Sequence, residues 1–240
     1  MEIIKETSRE PAATGDWNEV ERLILRRRSV RLYQKKQVPG ELIKRILEAG
    51  RFAPSAGNCQ PWKFVVVRDR KIIDGLTEDV VGKCRLFKSL IDYRSGRLRF
   101  LKKITAKLLT KLMPNDLHPM PFSFISLIAD GKLGLYHGAP TIILIFKDVR
   151  GVSNPDLDCG IAGQNMVLAA HSLGLGTCWV SFTKLAFKSS KWYKYFNISF
   201  PYKFASSLCI GYPVGDPDGF ISRDTHPVDW YEDGTGITIN

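Results

Sequence analysis

The sequence predicts an α+β chain with a central, mostly antiparallel sheet flanked by helices. Three observations carry this expectation. Residues 64–68 and 141–146 are strand-length segments built on the continuous apolar runs Phe64–Val67 and Ile142–Phe146, which suits strands inside a sheet covered on both faces. Amphipathic helical periodicities recur more often than strand patterns do. Helices and strands also fail to alternate regularly, which argues against a doubly wound parallel sheet.

The elements follow in order. Asp16-Trp17-Asn18-Glu19 has the N-cap residue and the Glu three positions on that form a capping box. The helix it opens carries Val20, Leu23 and Ile24 on one face and ends near the arginines. Leu42, Ile43, Ile46, Leu47 and Ala49 outline a second helix, stopped by residues 50–54. After the strand at 64–68 comes a variable helical insert at about 83–134. Within it, Leu98, Leu101, Ile104, Leu108 and Leu112 form an apolar stripe on an otherwise basic helix. Pro114, Pro119 and Pro121 break that pattern, and Phe122-Ser123-Phe124-Ile125 is expected as an apolar flap. The turn Gly138-Ala139-Pro140 leads into the strand at 141–146. Asp156 or Asp158 caps a helix reaching Ser172, with Gly174 as its stop. Ala162, Gly163, Ala169 and Ala170 let another element approach this helix closely. Strands at 176–181 and 206–210 complete one domain over residues 1–240.

Composition narrows the class. At 240 residues and 44% apolar content the chain has ample material for a core. No run approaches the roughly 20 apolar residues of a membrane-spanning helix. Residues 1–16 lack an apolar segment of the signal-peptide kind, so a cytoplasmic protein is expected. Five cysteines are scattered without metal-ligand spacing, which argues against a disulfide framework or a zinc site. Cys59 and Cys178 fall within the motifs below. The four histidines (His118, His137, His171, His226) are equally dispersed, and no metal is expected. The net charge is +11, and the window from Lys83 to Lys111 holds ten Lys or Arg against one acid, Asp92, for +9. Trp192-Tyr193-Lys194-Tyr195-Phe196 reads as a surface helix packing on a partner or the sheet; no nucleic acid is expected.

Chemistry concentrates in two stretches. Arg27, Ser29 and Arg31 alternate, so on an extended segment they face the same way. Arg27 and Ser29 suit one phosphate dianion, and Arg31 can reach further along the ligand. Alone, the cluster equally suits a solvated basic helix end. In Ala53-Pro54-Ser55-Ala56-Gly57-Asn58-Cys59-Gln60-Pro61-Trp62, Ser55 and Asn58 offer donors and acceptors, while Ala56 and Gly57 let a planar ring approach the backbone. Alone, this too suits a structural turn.

Together these residues resemble a known family. Arg-Arg-Ser-x-Arg followed by Ala-Pro-Ser-x-x-Asn-x-Gln-Pro-Trp-x-Phe is similar to the N-terminal signature of the nitroreductase-type flavoproteins. Asp158-Cys159-Gly160-Ile161-Ala162-Gly163-Gln164-Asn165, continuing through Gly174-Leu175-Gly176-Thr177-Cys178-Trp179, resembles that family's central helix and following strand. Ile210-Gly211-Tyr212-Pro213 and Arg223 resemble its C-terminal end. Only about residues 71–134 are unmatched.

The resemblance implies FMN bound at the interface of an obligate homodimer. By motif, Arg27, Arg28, Ser29 and Arg223 would hold the phosphate, and Arg31 would lie near the pyrimidine edge of the ring. Ser55, Asn58 and Gln60 would contact the ring and ribityl chain. Backbone groups of Trp179, Val180 and Ser181 would approach the reactive edge. A preorganised cation at Arg31 would stabilise the reduced state, and no protein residue is expected as a catalytic nucleophile, because the cofactor performs the transfer. The expected activity is FMN-dependent, ping-pong hydride transfer from NAD(P)H to a flat acceptor such as a nitroaromatic or quinone. Two alternatives are reduction by an acidic carrier protein, ferredoxin or flavodoxin, steered by the basic insert, and non-catalytic flavin binding. Membrane attachment through the basic helix is not expected.

Overall fold

The computed structural model describes residues 16–91, 100, 103–104, 119–152, 154–215, 226–232 and 235–239. In chain order the described elements begin with α1 (Glu19–Arg26), α2 (Gly40–Arg51), a 3-10 turn (Ala56–Asn58), β1 (Trp62–Val67), α3 (Arg70–Ile91) and α4 (Pro119–Ala129). They continue with β2 (Thr141–Asp148), α5 (Pro155–Ser172), β3 (Gly176–Trp179), a 3-10 segment (Ser181–Lys188), α6 (Ser190–Tyr195), β4 (Tyr202–Gly211), β5 (Val228–Glu232) and β6 (Thr235–Ile239). Two compact units hold them, Ser29–Asp216 and a smaller one of Met1–Arg28 with Pro217–Asn240.

In the larger unit, four strands run in the order β1-β2-β4-β3, each antiparallel to its neighbours. The unbroken apolar run of β2 is explained by helices on both faces of the sheet. Ile142, Leu144 and Phe146 point into a cluster with α3, α4, the 3-10 segment and α6. Ile143 and Ile145 point the opposite way, toward α2 and α5. Phe146 is fully buried and meets Phe187 edge-on at 5.2 Å, a placement worth about 1.5–3 kcal/mol in transfer energy alone. Gly50 lets α2 approach Met166 of α5, and Asn165 Nδ2 donates to the Ala49 carbonyl at 3.2 Å across the same contact.

Several boundaries differ from the sequence expectation. β1 packs against clusters on both faces, Val65 and Val67 on one and Phe64 and Val66 on the other, but as an edge strand its residues Phe64 to Val66 are only half-buried. β4 starts at Tyr202, four residues before the expected apolar run, and its first residue pairs with Asp148. Asn154, not an aspartate, caps α5, accepting from Leu157 N, because Pro155 takes the first helical position. The expected flap at Phe122 to Ile125 is part of helix α4, and Ile125 is buried. Trp192 of α6 packs into the core against the sheet.

The smaller unit contains α1 and the antiparallel hairpin β5–β6. In α1 the capping box forms two residues later than expected: Glu21 N donates to Asn18 Oδ1, and Asn18 N donates back to Glu21 Oε2. Among the described residues no helix is long and apolar enough to cross a membrane.

Most of the basic stripe at 98–112 lies outside the described residues. Three described cations of the insert, Lys83, Arg85 and Lys88, are engaged in packing. Lys83 Nζ donates to Asp79 Oδ2 and to the Leu185 carbonyl, both at 2.9 Å. Lys88 Nζ donates to Asp130 at 2.6 and 2.8 Å, tying α3 to the end of α4, while Arg85 Nε donates to the Ala129 carbonyl. The Lys88 hydrogen bond holds the Asp130 carboxyl below its ordinary range. A depressed carboxyl contributes stability above its unfolded value of about 3.9 and loses it as pH falls through the folded value. Asp130→Asn is therefore expected to melt below wild type at pH 7, with the two curves converging in acid. A constant offset across a thermal-melt pH series would overturn this.

Candidate cofactor site

Residues 29–31 form an extended segment pinned to the free edge of β3. Val30 N donates to the Thr177 carbonyl at 2.9 Å, and Ser29 bridges Thr177 in parallel. Val30 is buried against Gly176; a Cβ there would lie 2.6–2.8 Å from three Val30 side-chain atoms, so only glycine lets the segment dock. Ser29 and Arg31 are exposed on the side opposite Val30, as the alternation expected. Behind them, the Tyr33 hydroxyl donates to the Val30 carbonyl at 2.7 Å. Arg27 and Arg28 belong to the smaller unit; Arg27 is the C-cap of α1, and Arg28 Nη1 donates to the Leu25 and Arg27 carbonyls, each at 3.3 Å. Arg223 lies outside the described residues.

Beyond Thr177, β3 carries the chain to Trp179, Val180 and Ser181. Trp179 lies against α5 at Gly163, half-buried. Val180 is buried and paired to Ser207 of β4, whereas Ser181 is exposed. One titratable group here carried no sequence motif: His137, which precedes β2 with a left-handed backbone (φ 54°). Burial and then the positive charge of Arg31 push its imidazole below the ordinary value, so it stays neutral at pH 7 and leaves Arg31 the nearby cation. Its signal was the neighbouring Gly138, also at positive φ.

The second stretch forms a tight polar loop in front of β1. Asn58 N donates to the Ser55 carbonyl and Gln60 N to Ser55 Oγ, both at 2.9 Å, and Gln60 Nε2 donates to Asn58 Oδ1 at 3.0 Å. Gly57, Asn58 and Gln60 have φ of 57°, 53° and 47°. Such left-handed positions suit glycine and cost the other residues, so the internal hydrogen bonds are what hold the loop. Asn58, Cys59 and Gln60 are all exposed. The Asp148 N–H donates to the Pro61 carbonyl at 2.6 Å, anchoring the loop to the last residue of β2.

These two polar stretches do not meet within one chain. β1 and β3 are opposite edges of the sheet. Thr177 is level with Ile210 and thus with Thr141 at the start of β2, whereas Trp62 is level with Lys147 near its end. Six residues along β2 and three strand spacings across give a diagonal of roughly 24 Å. No single flat ring can touch both places.

A family model described as the nitroreductase family matches residues 24–212. A Methanothermobacter thermautotrophicus protein provisionally named NADH dehydrogenase/NAD(P)H nitroreductase is 29% identical over 194 residues, 80% of this chain and 75% of its own. An Archaeoglobus fulgidus protein with the same provisional name is 28% identical over 203 residues, covering 85% and 90%. Among solved structures, a nitroreductase with bound FMN from Desulfitobacterium hafniense shares the fold with a TM-score of 0.61 at 23% identity, over 85% of this chain and 94% of that one. The matched span takes in residues 29–31, the loop before β1 and strand β3 alike: the chain belongs to the nitroreductase family.

Proposed function

We propose that two copies of this chain assemble around FMN and act as an oxidoreductase, drawing electrons from NAD(P)H and passing them to a flat acceptor such as a nitroaromatic or quinone. The observation that carries this reading is the diagonal placement of two exposed polar half-sites in one chain of this family. A two-fold related copy supplies to each half-site the half it lacks, so each cofactor is shared between chains.

The donor set fits this cofactor. Ser29 and Arg31 present a hydroxyl and a guanidinium side by side, suited to anionic and polar edges. Ser55, Asn58 and Gln60 of the other copy present neutral donors and acceptors, with little bulk at Ala56 and Gly57. FMN, when bound, supplies the two-electron chemistry. Arg31 would favour negative charge at the ring's polar edge, and the docking of its segment on β3 supports this role because little reorganisation would be needed. Val30 and Tyr33, packed beneath, keep water from the underside of the Arg31 segment.

A spectrum of the purified protein followed by anaerobic reduction tests the reading. A yellow protein, or one that takes up FMN on reconstitution, is expected, with rapid bleaching by NADH or NADPH. A protein left colourless after reconstitution ends the proposal. Bleaching only by reduced ferredoxin or flavodoxin, slowed by salt, reassigns the electron source while keeping the cofactor.

A further inference from the structure

Beneath the point where β3 leaves the sheet lies a chain of buried hydroxyls. Ser207 Oγ donates to the Val180 carbonyl at 2.8 Å, and the Val180 N–H donates to the Ser207 carbonyl at 2.9 Å. Ser207 Oγ lies 2.9 Å from Thr183 Oγ1, which lies 3.0 Å from the Tyr136 hydroxyl. Thr183 and Ser207 have no exposed surface, and Tyr136 almost none. Burying three hydroxyls in an apolar cluster costs free energy unless each is paired, and here each is. A hydroxyl carries one proton. Ser207 gives its proton to the Val180 carbonyl and Thr183 Oγ1 gives its own to the Tyr136 hydroxyl, so the 2.9 Å contact between Thr183 and Ser207 serves to hold Ser207 Oγ in place.

The consequence falls on the next peptide. A trans peptide points its carbonyl and N–H to opposite sides. Holding the Val180 carbonyl inward on Ser207 turns the Ser181 N–H outward, and Ser181 is exposed. This grip acts where the ladder stops, since β3 ends at Trp179 and the 3-10 segment begins at Ser181. We infer that Ser207, backed by Thr183 and Tyr136, is a positioning residue of the cofactor site: it fixes the Val180–Ser181 peptide so that its N–H faces the ligand. The inference rests on the FMN reading above and adds to it three residues that lie outside the recognition motifs.

Ser207→Ala removes the donor, Thr183→Val removes the supporting hydroxyl at nearly constant shape, and Thr183→Ser keeps that hydroxyl. FMN affinity by fluorescence titration and the visible spectrum of the bound cofactor are the readouts, with circular dichroism as a check on folding. Ser207→Ala and Thr183→Val are expected to fold, to bind FMN about fivefold or more weakly, the worth of one net hydrogen bond, and to shift its absorption bands. Thr183→Ser is expected to match wild type. If Ser207→Ala does not fold, Thr183→Val and Tyr136→Phe decide by the same readouts. Variants that melt lower yet hold FMN with wild-type affinity and spectrum overturn the positioning role and leave the functional reading intact. A wild-type protein that takes up no FMN ends the functional reading and this inference with it.

Discussion

Two variants that each fail to hold FMN should regain it when mixed. One carries Ser29→Ala and Arg31→Ala; the other carries Asn58→Ala and Gln60→Ala. On the proposed shared site, each set would remove polar or charge-assisted contacts to the cofactor, and each homodimer is expected to lose roughly tenfold to a hundredfold in affinity. In a mixed dimer one site inherits both defects, and the other draws intact residues from each chain. Random exchange in a two-fold dimer then leaves about a quarter of the sites intact. Activity and FMN content should rise together to about that level. A verified mixed dimer that stays empty would mean both residue sets serve one chain's own site, contrary to the roughly 24 Å diagonal between them.

Gly163→Ala is the second large effect. A Cβ at this position lies 2.1 Å from Trp179 Cη2, 2.6 Å from Cζ2 and 3.3 Å from Ile145 Cδ1. Alanine raises helix propensity by about 1 kcal/mol, but overpacking typically costs about 1–3 kcal/mol and here the indole has to leave its notch. The steric cost wins, and a net loss of about 1–2 kcal/mol is expected, with a changed Trp179 environment and weaker FMN binding. Gly50→Ala is the matched control. Its new Cβ meets Met166 Cγ at 2.8 Å, and an unbranched thioether side chain can give way where a ring cannot. Equal melting temperatures for the two variants would show that Trp179 is not held as tightly as the packing indicates.

The layered fold was legible in the sequence because β2 is buried on both faces and reads as one apolar run. The limits of β4 were not, since Tyr202, Lys203 and Phe204 mix polar and aromatic residues and are strand only through pairing with β2. Pro119 and Pro121 read as breakers, yet in the first turn of α4 their missing N–H groups cost no helical bond. The cap of α1 was shifted because Asp16 with Glu19 and Asn18 with Glu21 offer the same spacing. Pro155 was the overlooked sign of where α5 begins.

For the site, residue types were legible and placement was not. Ser29 and Arg31 sit on an exposed extended segment as their alternation suggested, and the loop from Ser55 to Gln60 is polar and tightly turned. That these stretches occupy opposite corners of one sheet depends on strand order, which no local pattern encodes. Ser207 and Thr183 escaped notice for a related reason: a lone hydroxyl in an apolar segment acquires meaning only from what packs against it.

The diagonal separation also sets an order of events. On the proposed shared site, a single chain would hold two incomplete halves and no place to retain the cofactor, so pairing of chains would precede loading. Ligand would then bind only the paired state, and FMN and chain concentration would act on each other by mass action: cofactor would strengthen the dimer, and dilution would release cofactor. An unpaired chain would thereby be kept from carrying a reactive, half-shielded flavin.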